Sequence, residues 1–286
     1  MMGLAAPVAV VAHDAGAANI IQAWLQVEGI ADCRPAMAGP AGRIWAENFP
    51  HAPLLTLEEA LVGARSVLSG TGWASDFEHR ARASARARGI PSVAVIDHWV
   101  NYRERFQRDG EEILPDLVWV TDSDALAEAR RAIPEVAAIE RPNLYLRSQA
   151  VAAGRRPTRG DLLFVAEPAR SDWGQGIPGE FQTLDYLAAH RDTAGIDPDA
   201  PLRIRPHPSD PAGKYDAWIA SHPGACLDES ADMAEALRDA SWVAGLQSTA
   251  LVIALEAGRP AICALPPAAP PCSLPQSGLL HLRQLV

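Results

Sequence analysis

An α/β chain of two doubly wound, Rossmann-like domains facing a cleft is the fold this sequence predicts, on three observations. Short Val/Ile/Leu runs alternate with Ala-rich stretches of helical character, the pattern of strand-helix units around parallel sheets. The length of 286 residues is enough for two domains of similar size, at about 100–200 residues each. Between "PNLYL" and the apolar run "LLFVA" lies "RSQAVAAGRRPTRGD", a polar interval containing Gly, Arg and Pro that reads as a boundary. The expected domains are therefore 1–152 and 160–286.

In the first half, strands are predicted at "PVAVVAH", "SVLSG", "SVAVID" and "LVWVTD", each a short β-branched or apolar run closed by a polar or glycine residue. Helices are predicted at "AANIIQAWLQVE", "LEEALVG", "ASDFEHRARASARARG" and "SDALAEARRA", several of them ended by glycine. The second half repeats the alternation. Its strands fall at "DLLFVAE", "PLRIRP", "SWVAG" and "PAICAL", and its helices at "EFQTLDYLAAHRD", "YDAWIASH", "DMAEALRDA" and "ALVIALEAG". The tail from Pro266, "PPAAPPCSLPQSG", is proline-rich and expected to be irregular, crossing back toward the first domain.

Composition narrows the function classes. The formal net charge of −10 gives no overall attraction to nucleic acid or to an anionic membrane, so neither is expected as a partner beyond peripheral membrane contact. The N-terminal "MMGLAAPVAVVAHDAG" has no basic leader, and no apolar run is long enough to span a bilayer. Cys33, Cys226, Cys263 and Cys272 are scattered without a Cys-x-x-Cys pair, so neither a disulfide framework nor a cysteine zinc site is indicated and no metal is expected. A cytoplasmic location fits. Oligomeric state is left open.

Ligands of open parallel sheets collect beyond the carboxyl ends of the strands. That rule selects His13, Asp14 and Gly16 in "HDAGAAN", then Gly70, Thr71, Gly72, Ser75 and Glu78 in "SGTGWASDFEHR". It also selects Asp97, His98, Asn101, Tyr102, Arg103 and Arg105 in "DHWVNYRERF". The glycine-rich "SGTGWAS" either offers backbone N–H groups to an anion or makes a tight turn. It is neither a dinucleotide fingerprint nor a Walker loop. "HDAG" either begins a helix with Asp14 as its cap or carries chemistry. Asp97 and His98 are candidates for proton transfer, with Arg103 and Arg105 attracting a carboxylate or phosphate. The alternative for that segment is a helix carrying Trp99 and Phe106 into the core, with both arginines solvated.

In the second half, "RPHPSD" holds His207 between Pro206 and Pro208, and "SWVAGLQSTALVIALEAGRPAIC" reads as strand, small polar loop and helix starting near Ser248 or Thr249. Hydroxyls and free N–H donors at such a helix start suit a phosphate. A stiffly held imidazole can donate to the same anion at little entropic cost. Arg205, His207, Gln247, Ser248 and Thr249 make the expected phosphate-binding set.

At these residues a resemblance appears. "RPHPSD" followed by "GLQSTALVIALEAGRPA" resembles the C-terminal half of GT-B-fold glycosyltransferases, most closely those using CMP-activated sugars, such as bacterial sialyltransferases and capsule Kdo transferases, and also CDP-glycerol transferases. It spans roughly 202–264, less than a quarter of the chain. The resemblance implies that His207, Ser248 and Thr249 bind the donor nucleotide and its phosphate, and that Glu256 holds the ribose. "GTGWAS" and "DHWVNYRERF" look like segments of proteins encoded among surface-polysaccharide genes. The Asp/Glu-Asp/Glu-Gly motif that carries the base in many bacterial sialyltransferases has only "HDAG" as a distant counterpart.

The expected function is an inverting, metal-independent transfer of a sugar, a nonulosonic acid on CMP, to a glycan or protein acceptor. The nucleotide-sugar is a co-substrate and no cofactor is needed. Asp14 is the expected base, with Asp97 or His98 as substitutes, and His13, Gly70, Thr71, Gly72, Glu78, Arg103 and Arg105 are expected to contact substrate. Two alternatives stand beside this: a nucleotide-sugar hydrolase or 2-epimerase on the same fold, and a non-catalytic carbohydrate- or nucleotide-binding module.

Overall fold

A computed structural model describes residues 3–286. The chain divides into two compact units, Met1–Tyr145 and Leu146–Val286.

Unit 1 is built on β1 (Val8–Ala12), β2 (Cys33–Met37), β3 (Ser66–Ser69), β4 (Ser92–Val95), the small hairpin β5 (Gln107–Arg108) and β6 (Glu111–Glu112), β7 (Leu117–Val120) and β8 (Ala137–Glu140). Six of these form one sheet in the order β2-β1-β3-β4-β7-β8, and every pairing in it is parallel. Its helices are α1 (Ala15–Glu28), α2 (Gly39–Asn48), α3 (Leu57–Leu61), α4 (Phe77–Ala87) and α5 (Ser123–Ala132), and α6 (Leu144–Ala153) runs across the division between the units. The strand β1 is apolar at every position and fully buried, as a central parallel strand covered on both faces must be. Helix α1 packs Ile20, Ile21, Trp24 and Leu25 into the core and ends at Gly29, whose φ of 86° only glycine adopts without strain. Trp24 meets Trp119 edge-on at 5.6 Å, and Arg141 lies over both rings.

Unit 2 contains β9 (Asp161–Val165), β10 (Leu202–Arg205), β11 (Ala225–Leu227), β12 (Ala240–Gly245), β13 (Ala261–Cys263) and β14 (Leu280–His281) in the order β11-β10-β9-β12-β13-β14, again all parallel. Around them lie α7 (Gly179–His190), α8 (Asp216–Ser221), α9 (Met233–Arg238) and α10 (Thr249–Glu256). Both sheets are doubly wound, so each has a switch point where the strand order reverses: between β1 and β3 in unit 1, and between β9 and β12 in unit 2.

Every predicted strand is present. The strands that the sequence did not announce in the two large sheets are β2, β8, β11 and β14, and these are the four sheet edges. Two segments differ in kind from expectation. "RSQAVAA", read as part of a linker, belongs to α6, and only 154–160 is irregular. "DHWVNYRERF" is a loop ending in a single 3₁₀ turn, Glu104–Phe106, before the hairpin, although Trp99 and Phe106 are buried as the core reading required. No helix among the described residues is long and apolar enough to cross a membrane.

Candidate functional site

At the switch point of unit 1, the loops after β1 and β3 are tied together through carboxylates. Asp14 accepts the backbone N–H of Trp73 at 2.8 Å and of Ala74 at 3.4 Å on one oxygen, and its other oxygen lies 2.6 Å from His13 Nδ1. Glu78, on the first turn of α4, accepts the N–H of His13 at 3.0 Å and of Gly72 at 2.6 Å. The glycine-rich loop therefore uses its N–H donors on the protein's own acids. Its glycines are required by space: a Cβ on Gly72 would lie 2.3 Å from an Asp14 oxygen, and one on Gly70 the same distance from Glu78. These facts correct the anion-cradle reading and explain the glycines together.

The loop after β4 adds a third acid. Asp97 accepts Arg105 Nη1 at 2.8 Å, and its other oxygen crowds Gly16 at the start of α1 so closely that no Cβ fits there. Arg105 also donates to the carbonyl and hydroxyl of Thr71 and to the carbonyl of Val100, with only 5% of its side chain exposed. Thr71 is buried and donates to the Val95 carbonyl. Arg103 grips Glu112 with two nitrogens and also Glu135. Thr71, Glu78, Arg103 and Arg105 are thus committed to the protein, not to a substrate. His98 packs edge-on against Trp99, which is anchored through its indole N–H to Asp122, the N-cap of α5.

His13, Asp14 and Asp97 each keep part of the side chain open to solvent, at 18%, 27% and 22%. With Asp14 engaged at Nδ1, the free ring nitrogen of His13 is Nε2, which faces Gly39, where a Cβ would collide with the ring. A carboxylate on Nδ1 fixes tautomer and orientation and supports proton transfer at Nε2. Sequence reasoning placed the base at Asp14; in the structure Asp14 sits against His13 Nδ1, and His13 Nε2 has no hydrogen-bond partner among the described residues.

Burial is the main cause that holds Glu78 above the usual carboxylate range, with Asp14 adding to it and the two N–H donors and Arg82 opposing. Because the native state keeps a proton that the unfolded chain has released, this group's contribution is complete below the ordinary glutamate pKa and is lost as pH rises through the raised one. Urea unfolding measured across that interval is expected to show a downward slope of stability with pH that Glu78→Gln flattens.

In unit 2, the switch point brings Glu167, after β9, to the loop after β12, where it accepts the Gln247 N–H at 3.1 Å. Burial raises its carboxyl as well. Ser248 is the N-cap of α10, yet its buried Oγ makes no hydrogen bond among the described residues. Thr249 is the first residue of that helix. One loop away, His207 is held by more than its prolines. Its N–H donates to Asp210, and its Nδ1 accepts the Ser209 N–H at 3.2 Å. The neutral ring then carries its proton on Nε2, as an outward donor. Partial desolvation, with Arg170 and Lys214 nearby, lowers His207 below the ordinary histidine range, against the pull of Asp210. Desolvation would raise Asp210, but Lys214, the His207 N–H and the Tyr215 hydroxyl together hold it low.

One expected phosphate ligand is engaged elsewhere: Arg205 is paired with Asp228 and donates to the Ser230 carbonyl, so it anchors β10. Glu256, expected on the ribose, is exposed at the last position of α10, about 12 Å along the axis from Ser248. Sequence reasoning also passed over the loop after β9. It borders an open depression of about 450 Å³ lined by Arg170, Ser171, Asp172 and Glu180 among others, and Arg170 and Trp173 adopt positive φ there. "EPARSDWGQG", polar and glycine-containing directly after a strand, was the available signal.

No family model matches the sequence. No curated protein matches it either. The fold, however, is shared with solved structures. The UDP-GlcNAc 2-epimerase of Methanocaldococcus jannaschii, in complex with UDP-GlcNAc and UDP, superposes with a TM-score of 0.64 at 11% identity, over 97% of this chain and 91% of that one. The Neisseria meningitidis UDP-GlcNAc 2-epimerase bound to UDP-GlcNAc gives 0.61 at 12% identity, over 90% and 82%. The glycosyltransferase SnogD of Streptomyces nogalater gives 0.50 at 14% identity, over 90% and 80%. The chain therefore has the GT-B-like fold found in nucleotide-sugar enzymes of both kinds.

Proposed function

We propose that this protein acts on a nucleotide-sugar at its anomeric carbon, as a 2-epimerase or hydrolase of the donor, with a uridine diphosphate sugar as the first substrate to test. The observation that carries the reading is the His13–Asp14 pair, an imidazole whose Nδ1 is held by a carboxylate, on a fold shared with 2-epimerases. Within unit 2, His207, Ser248 Oγ and the amino end of α10 offer donors and a positive dipole suited to a diphosphate, where charge develops as a bond to it breaks. The C1–O bond to phosphate breaks with its electron pair leaving on the diphosphate. His13 takes a proton from C2 of the sugar in an elimination, after which return of a proton to the opposite face of C2 and of the diphosphate to C1 gives the 2-epimer, or it takes a proton from an attacking water for hydrolysis.

Transfer to an acceptor is the second reading, and it is favoured by the resemblance of the His207 and Ser248 segments to CMP-sugar transferases and by the fold of SnogD. Nucleotide and products separate the two. Incubation with UDP-GlcNAc, followed by NMR, is expected to give the 2-epimer or free sugar and UDP without any acceptor. Absence of both products across UDP- and CMP-sugars, with product appearing only when an acceptor is added, establishes transfer instead. In a thermal-shift panel of UDP, UMP, CDP, CMP, GDP and dTDP, one nucleotide at about 100 times its Kd is expected to add about 2.7 kcal/mol of stability. His207→Ala, a substitution at an exposed position, is expected to remove most of that gain without lowering the ligand-free melting temperature. A wild type that no nucleotide stabilises removes the reading.

A further inference from the structure

The sheet of unit 2 ends in a feature that the nucleotide reading does not use. Cys263, the last residue of β13, is paired in register with His281 of β14, so two donor-bearing side chains stand side by side on adjacent strands. Between these strands the chain makes an irregular excursion through 264–279 that contains Cys272, and this residue returns to the same place. One donor atom from each of Cys263, Cys272 and His281 lies within 4.8 Å of the other two. Cys263 is buried and the other two are half-buried.

The excursion is not loosely attached. The N–H and hydroxyl of Ser273, next to Cys272, both donate to the Gln247 side-chain oxygen at 3.0 and 3.1 Å, and Arg283 donates to the Ala269 and Pro270 carbonyls. Leu274 and Leu279 of the excursion are themselves buried. The position of Cys272 is therefore set by contacts on both sides of it.

We propose that Cys263, Cys272 and His281 form a zinc site that ties this proline-rich strap to the sheet of unit 2. Two sulfurs and an imidazole are the soft and borderline donors that select zinc over magnesium or calcium. Tetrahedral zinc with bonds of about 2.3 Å to sulfur and about 2.0 Å to nitrogen sets its donors about 3.5–3.8 Å apart, so the observed spread closes with shifts of about 1 Å or less. Three protein ligands leave the fourth position to solvent or to a small exogenous ligand. A disulfide would account for the two sulfurs alone; the imidazole converging on them is what points to a metal. Irregular backbone of this length also lacks the ladder that would otherwise hold it, and a metal clip supplies a fixed point.

The site was not legible from spacing, because the cysteines are nine residues apart and their convergence depends on strand register.

The test uses the full-length, reduced chain and zinc alone as the probe. Dialysis against zinc, then elemental analysis, is expected to find one zinc per chain. In titration against a chromophoric chelator, Cys272→Ser and His281→Asn are each expected to weaken binding by at least about tenfold, since even outer-shell changes at zinc sites cost that much. Cys33→Ser and Cys226→Ser, away from the cluster, are expected to leave it unchanged. Cobalt in place of zinc is expected to show thiolate charge-transfer absorption that Cys272→Ser halves. Zinc is also expected to protect the strap from limited proteolysis. Three results overturn the proposal: no stoichiometric zinc on the reduced chain, equal affinity in His281→Asn, or a Cys263–Cys272 disulfide that re-forms in the presence of zinc. None of these readouts involves a nucleotide, so they stand or fall apart from the proposed function.

Discussion

Replacing His13 with glutamine is expected to lower turnover of the nucleotide-sugar by about 10²–10⁴-fold, the usual contribution of a positioned general acid or base, while nucleotide affinity stays within about twofold of wild type. The separation is expected because the residues proposed to bind the donor, His207 and Ser248, belong to unit 2 and His13 to unit 1. Asp14→Asn is the companion variant. One oxygen remains to accept the Trp73 N–H, so the loop keeps its anchor, but the carboxylate that fixes the His13 tautomer is gone. A loss nearly as large as that of His13→Gln, and a double variant no worse than either single one, identifies the two as one unit, because residues that act together are not additive. If Asp14→Asn instead loses its activity and His13→Gln keeps it, Asp14 is itself the base. A normal rate in both moves proton transfer to the Asp97 segment. Single-turnover measurements at saturating substrate read these rates without interference from product release.

The sequence located this region for a physical reason. Ligands of doubly wound sheets collect beyond the carboxyl ends of the strands, and the central strands are the easiest elements to read because both of their faces are buried. "VAVVA" and "LLFV" are continuous apolar runs of this kind. Knowing where β1 and β12 end is enough to select His13, Asp14, Gln247 and Ser248. Edge strands leave a weaker trace. In β2 the run "CRPAM" contains a proline, tolerated where no neighbour demands the N–H, and in β8 Ile139 is half exposed. With the edges missing, the strand order could not be read, and neither could the switch points.

Side-chain partnerships were a second blind spot. Polar residues after a strand look alike whether they face a ligand or one another, and only the fold shows that Glu78 turns inward to two N–H groups. The glycines at 70 and 72 suggested a phosphate loop because both uses need backbone without a Cβ. The same sequence signal serves an internal carboxylate and an external anion equally well. Arg103 and Arg105 illustrate the point from the basic side: the acids that claim them include Asp97, Glu112 and Glu135, up to about thirty residues away in the chain.

Asp228→Ala is expected to be the most destabilising single substitution among these, at about 3–5 kcal/mol, because it breaks a buried ion network from its only acid with no solvent access. The Asp228 carboxylate is fully buried and receives Arg203 on one oxygen and Arg205 on the other, with the Ser230 hydroxyl as a further donor. Removing it strands two positive charges on neighbouring positions of β10. Arg203 keeps Asp161 and the Ala236 carbonyl, but Arg205 is left with the Ser230 carbonyl. Arg205→Met separates the terms: it removes one charge together with its desolvation cost, and Asp228 retains Arg203, so a loss well below that of Asp228→Ala is expected. Urea unfolding followed by tryptophan fluorescence measures both, with Trp218 and Trp242 as reporters within unit 2. The network also has a consequence for binding. Arg205 is the last residue of β10 and leads through Pro206 into His207, so the carboxylate that stabilises this strand sets where the imidazole begins. Arg205→Met is therefore expected to weaken nucleotide binding modestly, through displacement of His207, whereas a phosphate contact by Arg205 itself would cost as much affinity as His207→Ala. Equal losses in the two variants would return Arg205 to the binding site.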